Sequence, residues 1–255
     1  SARGITVTGE ARAWLLYITE GGTVQSVQLA REFSIEYESD AVLDEKLTHV
    51  ALSVNAAETR VLNPRKVAVT FEICGELWAY SREELCVSAS AGDTPCRVYA
   101  KQERCSATPV IAVTEKTFVI TEQFAFADSK PQPAALLSQN IEYELAEINV
   151  ISGRAVVKGN VRLKLCYASD GADYPVTAEF SSPFSQLIDV PDTDTSGCAA
   201  RVEINGAYLN IIDTINGTKA VDVELHCLTE LVCFGREEVQ YISDMYCNTA
   251  ALTPR

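Results

Sequence analysis

Residues 219–227 read KAVDVELHC, and apolar and polar side chains alternate along this run. Successive side chains of a β-strand point to opposite faces, so Val221, Val223 and Leu225 share one face. The charged residues between them share the other face. The run is therefore predicted to form a strand with one buried side and one side in water.

The same alternation recurs at intervals along the chain. Turn-forming pairs separate the alternating runs, as at Asn63-Pro64 and Asn216-Gly217. Short strands divided by turns are typical of sandwiches and barrels, so the sequence predicts an all-β fold. One short helix is expected around residues 133–137, because Pro133 suits a first helical turn. Four further runs show the strand pattern: residues 66–73, 112–126, 145–151 and 156–165.

Four blocks of the first part of the chain recur in the second part in the same order. The offset between the copies drifts from 150 to 154 residues, as loop insertions would produce. The sequence therefore predicts two tandem β-sandwich-like domains related by an internal repeat, over residues 1–95 and 96–255. The matched blocks are residues 7–17 with 157–167, 31–34 with 182–185, 67–73 with 221–227, and 81–85 with 235–239.

The two copies differ at their start. Two strand-like runs, residues 112–126 and 145–151, lead into the second copy, and the first copy has no equivalent. Either the start of the chain is missing or the first domain is built short of a strand. The first domain is therefore expected to leave an open slot, which a strand of another subunit could fill.

The second copy carries a family resemblance. Its most specific block is SPFSQLIDV at residues 182–190. Three shorter blocks accompany it: TEKTF at residues 114–118, VKG at 157–159 and YISDMY at 241–246. Their order resembles the SPOCS domain of SipL-like spore morphogenesis proteins, over about residues 105–247 and, through the repeat, over residues 5–88. The resemblance implies a non-enzymatic spore-envelope or assembly protein, here without the LysM module of the SipL pattern.

The chain is acidic. It has 21 Lys and Arg residues against 35 Asp and Glu residues, which gives a net charge of −14. Binding to nucleic acid needs a basic face that neutralises phosphate, so no nucleic-acid partner is predicted. The same charge disfavours an anionic membrane surface. No run approaches the roughly 18 apolar residues of a membrane-spanning helix, so no membrane partner is predicted either.

No catalytic, cofactor or metal site is predicted. Of the two histidines, His226 alternates with acidic residues and His49 follows a polar run, so both are expected at the surface. The sequence has no Gly-x-Ser-x-Gly elbow, no Gly-rich phosphate-binding motif and no Cys-x-x-Cys pair. The chain is therefore predicted not to be an enzyme.

The nine cysteines are an odd number, so they cannot all pair within one chain. Four of them lie inside strand patterns and are expected to be small buried hydrophobic residues. Four others lie in or near polar segments and chain ends, and they are the candidates for disulfides, including bonds between subunits. The first group is Cys74, Cys166, Cys227 and Cys233, and the second is Cys96, Cys105, Cys198 and Cys247.

Two functions are compatible with these observations. The first is a structural protein that self-assembles in a spore envelope, exosporium or appendage filament, through strand edges and inter-subunit disulfides. Its partners would be further copies of itself and other spore-envelope proteins. The second is a soluble binding module that recruits a partner protein or a glycan to the spore coat. Both place the chain at the spore surface or outside the cell.

Overall fold

The computed structural model describes residues 4–38, 48–81, 84–90, 97–170, 172, 174–191 and 195–249. Every regular element in these residues is a β-strand, which confirms the predicted all-β fold. None of the described ranges contains a helix long and apolar enough to cross a membrane. The strands are β1 (Gly4–Ile18), β2 (Val24–Glu38), β3 (Thr48–Asn63), β4 (Lys66–Ala79), β5 (Val98–Ala107), β6 (Val110–Ala125), β7 (Ala135–Ile151), β8 (Arg154–Ala168), β9 (Val176–Asp189), β10 (Thr195–Asp213), β11 (Lys219–Gly235) and β12 (Glu237–Cys247).

The chain divides into two compact units, and the described residues of the first, Ser1–Glu83, form two antiparallel hairpins. β1 pairs with β2, and β3 pairs with β4. The first hairpin turns at Gly21 and Gly22, where the hydroxyls of Thr19 and Thr23 lie 2.7 Å apart. Gly22 has a φ of +79°, a left-handed conformation that glycine adopts without steric strain.

The second unit, Glu84–Arg255, holds a sandwich of two three-stranded antiparallel sheets and a two-stranded ribbon. The strand orders are β7-β8-β9 and β10-β11-β6, so β8 and β11 are the central strands. The ribbon pairs β5 with β12. The sequence predicts the domain boundary between residues 95 and 96, whereas the two compact units divide after Glu83. The boundary at residues 95 and 96 stays a prediction.

The core of the second unit lies between its two sheets. Leu163 and Leu165 on β8, and Val223 and Leu225 on β11, each expose only 2% of their surface. They belong to one buried cluster, and the charged residues that alternate with them face water. Each buried side chain of this size contributes about 1.5–3 kcal/mol. The predicted division of these strands into a buried and a wet face is confirmed.

A glycine opposite a phenylalanine marks the repeat in both units. Gly9 on β1 is paired with Phe33 on β2, and Gly159 on β8 is paired with Phe184 on β9. In each pair the phenylalanine ring covers the glycine, so that a Cβ there would lie 2.6 Å from the ring. Together with the sequence blocks, this shared contact aligns β1–β4 with β8–β11.

The helix expected around residues 133–137 is wrong. Ala135 begins β7, and the Ala134 amide donates a 2.7 Å hydrogen bond to the Ala168 carbonyl at the end of β8. The Tyr167 hydroxyl donates a 3.0 Å bond to the carbonyl of Pro131. These bonds to β8 hold the segment extended, so tertiary pairing overrides the local preference of Pro133 for a helix start.

The two histidines have opposite environments. His226 is exposed as predicted, and its Nε2 lies 2.6 Å from Oε1 of Glu224. The expectation for His49 is wrong, because only 6% of this residue is exposed. His49 is the cross-strand partner of Trp78, and the ring centroids lie 5.9 Å apart. The polar run before β3 did not predict that His49 would pack against the Trp78 side chain.

Candidate functional site

The outer edges of β1 and β4 distinguish the first unit from the second. Among the described strands, β1 pairs only with β2 and β4 only with β3, whereas β8 and β11 each pair with two strands. The repeat aligns β1 with β8 and β4 with β11, so the described first unit lacks counterparts of β7 and β6. These outer edges, here called the open edges, leave backbone N–H and C=O groups available to a further strand.

Apolar residues beside the open edges are more exposed than their counterparts in the second unit. Tyr17 on β1 is 44% exposed, whereas its counterpart Tyr167 on β8 is fully buried. Val67 on β4 is 37% exposed, whereas its counterpart Val221 on β11 is fully buried. The same residue types at the same positions thus form a core in one unit and a surface in the other.

The exposed row on β4 is continuous. Val67, Val69, Phe71 and Ile73 alternate with Ala68, Thr70 and Glu72 and are called the β4 face. All four are exposed or partly exposed, while the corresponding side chains of β11 are 0–3% exposed. Covering this face with another strand or sheet is favourable, because it removes apolar surface from water.

No described residue of the first unit belongs to a buried apolar cluster. A two-stranded hairpin is marginally stable in water, and contiguous exposed apolar patches mark surfaces that bind other molecules. The described first unit is therefore an incomplete sandwich. Its exposed large apolar residues are Leu16, Tyr17, Ile18, Val27, Ile35, Tyr37, Leu52, Val54, Val61, Leu62 and Val67.

Polar groups lie on part of the opposite side of each hairpin. Glu10 faces Glu32 across the first hairpin, and the guanidinium of Arg12 pairs with Glu10. In the second hairpin, Nδ2 of Asn55 donates a 3.0 Å hydrogen bond to Glu72. Because these groups alternate with the apolar rows, a strand that covers the β4 face need not bury these charges.

The predicted disulfide cysteines of the ribbon lie far apart. Cys105 is exposed on β5 and faces Val239, and Cys247 is partly exposed at the end of β12 and faces Val98. At about 3.3 Å per residue, these positions are roughly 25 Å apart, too far for a bond within one chain. Cys96 lies outside the described residues.

The fourth candidate, Cys198, lies against a cysteine that was predicted to be core. Its Sγ is 3.2 Å from Sγ of Cys233, which is fully buried. Cys227 is also buried as predicted, but the same expectation for Cys74 is wrong. Cys74 follows Ile73 and therefore lies on the polar side of β4. Cys166 is partly exposed for the same reason, beside buried Leu165.

Comparison with known families identifies part of the second unit. Residues 134–212, which contain β7–β10, match the family model SipL, SPOCS domain. This segment is similar to the SPOCS domain. The match confirms the family resemblance for the second copy and relates the chain to SipL-like sporulation proteins. No curated protein and no solved structure matches the chain.

The structure also shows what sequence reasoning missed. The missing lead-in predicted an open slot, but not that the two lead-in strands flank different sheets of the second unit, β7 beside β8 and β6 beside β11. One of them, β7, lies within the SPOCS domain. The first unit therefore has two separate open edges.

Proposed function

We propose that the chain is a non-enzymatic structural protein that self-assembles by strand addition at its open edges. The observation that carries the proposal is the contrast between the two copies of the module. Where strands flank β8 and β11, the apolar rows are buried; where none flanks β1 and β4 in the described chain, most residues of the rows are exposed or partly exposed. A strand from a neighbouring copy forms backbone hydrogen bonds with the open edge and buries the apolar residues beside it.

Strand addition at one edge uses different surfaces of donor and acceptor. The contact is therefore heterologous, and it generates an open filament when the rotation between copies does not close a ring. The SPOCS domain supports placing such a filament in a spore envelope, exosporium or appendage. We propose a location at the spore surface or outside the cell, with further copies and other spore-envelope proteins as partners, and with no nucleic-acid or membrane partner.

A charge on the β4 face is expected to block assembly. Val69→Lys places an ammonium group where a neighbouring chain would bury a valine, which is worth at least about 1.5 kcal/mol. The concentration at which fibres appear should rise more than about tenfold. Sedimentation and negative-stain microscopy of the full chain measure this change.

Thr70→Lys is the matched control, because it adds the same charge one residue away on the exposed polar side of β4. It should assemble as the unchanged chain does. Fibres of Val69→Lys at the unchanged concentration would show that the β4 face is not an assembly contact. Dispersed particles of the unchanged chain at every concentration would contradict self-assembly altogether.

Disulfides between subunits are proposed to lock the assembly, through Cys96, Cys105 and Cys247, with Cys198 considered separately below. Oxidised assemblies should give a ladder of oligomers on a non-reducing gel, which a thiol collapses to one band. A Cys105→Ser, Cys247→Ser chain should lose most of the ladder, whereas Cys166→Ser should keep it. A gel unchanged by thiol would refute the covalent lock and leave strand addition untouched.

A specific feature favours the second candidate function, a binding module for a protein or a glycan. Tyr99 and Tyr246 stack across the ribbon with centroids 5.0 Å apart, and both are exposed. The guanidinium of Arg97 lies 5.2 Å from the centre of the Tyr99 ring. Exposed aromatic faces of this kind suit binding of a partner surface. Monodisperse particles that bind a coat protein or glycan would favour this function.

A further inference from the structure

Two cysteines lie opposite each other on the paired strands β10 and β11. The register matches Cys198 with Cys233, and their Sγ atoms are 3.2 Å apart. Directly opposed residues of an antiparallel pair have Cα atoms about 4.5–5.5 Å apart, and a disulfide needs about 4.4–6.8 Å. The backbone therefore permits a bond at this position without moving either strand.

The surroundings hold the two thiols together. Cys233 is fully buried in the second apolar cluster, beside Leu231 and Ala155, and Cys198 packs against the edge of this cluster. Cys198 is itself partly exposed, so an oxidant can reach it from solvent. The two positions thus combine one accessible thiol with one protected thiol.

We propose that Cys198 and Cys233 form a disulfide within the chain when the protein meets a low-molecular-weight disulfide such as oxidised glutathione. The Cys198 thiolate attacks the glutathione disulfide, forms a mixed disulfide and releases one glutathione. The Cys233 thiolate then attacks the Cys198 sulfur and releases the second. The two cysteines are oxidised, one glutathione disulfide is reduced to two thiols, and the two cysteine protons end on those thiols.

The order of attack follows from burial. Desolvation, together with the neighbouring Cys198, raises the pKa of the Cys233 thiol to about 12. Cys233 is therefore protonated at neutral pH and is a poor first nucleophile. Oxidation starts at Cys198, and Cys233 acts as the resolving thiol.

The bond has two consequences that do not depend on the proposed assembly. It ties β10 to β11 close to the ends farthest from their connecting turn, at Asn216-Gly217. It also withdraws Cys198 from the cysteines available to a neighbouring subunit. Cys198 then differs in role from Cys105 and Cys247, which lie at opposite ends of the ribbon.

The test uses the full chain, first reduced and then equilibrated with oxidised glutathione. After free thiols are alkylated, peptide mass spectrometry should assign one bond to Cys198 and Cys233, with a loss of about 2 Da for the two hydrogens. The thermal midpoint of the oxidised chain should rise by about 5–10 °C over that of the reduced chain. Cys198→Ser should abolish this rise, and Cys166→Ser, on the adjoining sheet, should keep it.

Alkylation of both Cys198 and Cys233 after oxidation would overturn the proposal. So would a bond from Cys198 to a second chain, visible as a cross-linked dimer. The peptide assignment on the unchanged chain decides the matter even if Cys198→Ser fails to fold. Fibre formation is not measured in this experiment, so its result is independent of the proposed function.

Discussion

Replacing Tyr167 with alanine is expected to destabilise the second unit by about 3–5 kcal/mol. The side chain is fully buried at the end of β8, with its ring edge-on to Phe126 at 5.2 Å. Its hydroxyl donates to the Pro131 carbonyl, and burial raises the pKa of the phenol. Truncation removes the ring, leaves a cavity and strips that carbonyl of its donor. Urea unfolding followed by circular dichroism measures the loss.

Tyr17→Ala is the matched control, because Tyr17 occupies the same position of the repeat. It is 44% exposed, and its hydroxyl donates to the exposed Gln25 side chain. Below the assembling concentration, its removal should change the unfolding free energy by about 0.5 kcal/mol or less. Equal losses for the two variants would mean that the first unit has a core of its own, which would remove the main support for strand addition.

The second large effect is expected from Gly159→Ala. A Cβ at residue 159 would lie 2.5 Å from the carbonyl oxygen of Glu144 on β7 and 2.6 Å from the Phe184 ring. That ring is buried and packs against Phe118, with centroids 5.7 Å apart, so it has little room to move. Overpacking of this kind costs about 1–3 kcal/mol. The midpoint of urea unfolding should fall accordingly.

Gly9→Ala tests the same contact in the first unit. The three heavy atoms nearest to a Cβ at residue 9 all belong to the Phe33 ring, the nearest at 2.6 Å, and none of them is a backbone atom. Phe33 is partly exposed and can turn away, so a loss below about 1 kcal/mol is expected. A loss as large as that of Gly159→Ala would show that something rigid covers Phe33.

The two pairs of variants both test whether the flanking strands create the core. Tyr167 and Gly159 depend on strands that flank or cover β8, and Tyr17 and Gly9 stand at the same repeat positions without such strands in the described chain. A large difference within each pair is expected if the flanking strands, rather than the repeated residues, create the core. In assembled material the difference should shrink, because a neighbouring chain would then cover Tyr17.

The pairing of Cys198 with Cys233 could be predicted from the sequence only in part. The Asn216-Gly217 turn predicts that β10 and β11 are paired, and Asp213 faces Lys219 beside it. Counting outward from that pair places Ala199 opposite Cys233. A bulge between Ile204 and Gly206 shifts the register by one residue, so that Cys198 takes this place. The alternation of apolar and polar residues along β10 does not predict this bulge.

The amino-acid sequence by itself determined several of the strands, their apolar faces and the repeat, because alternation along a strand is a local property of neighbouring residues. It also indicated the similarity of the second copy to the SPOCS domain, through the blocks around residues 182–190. Only the tertiary structure decided which strands flank which, since pairing joins residues far apart in the chain. For that reason the same apolar row is a core on β11 and an open face on β4, and the helix expected near Pro133 is a strand.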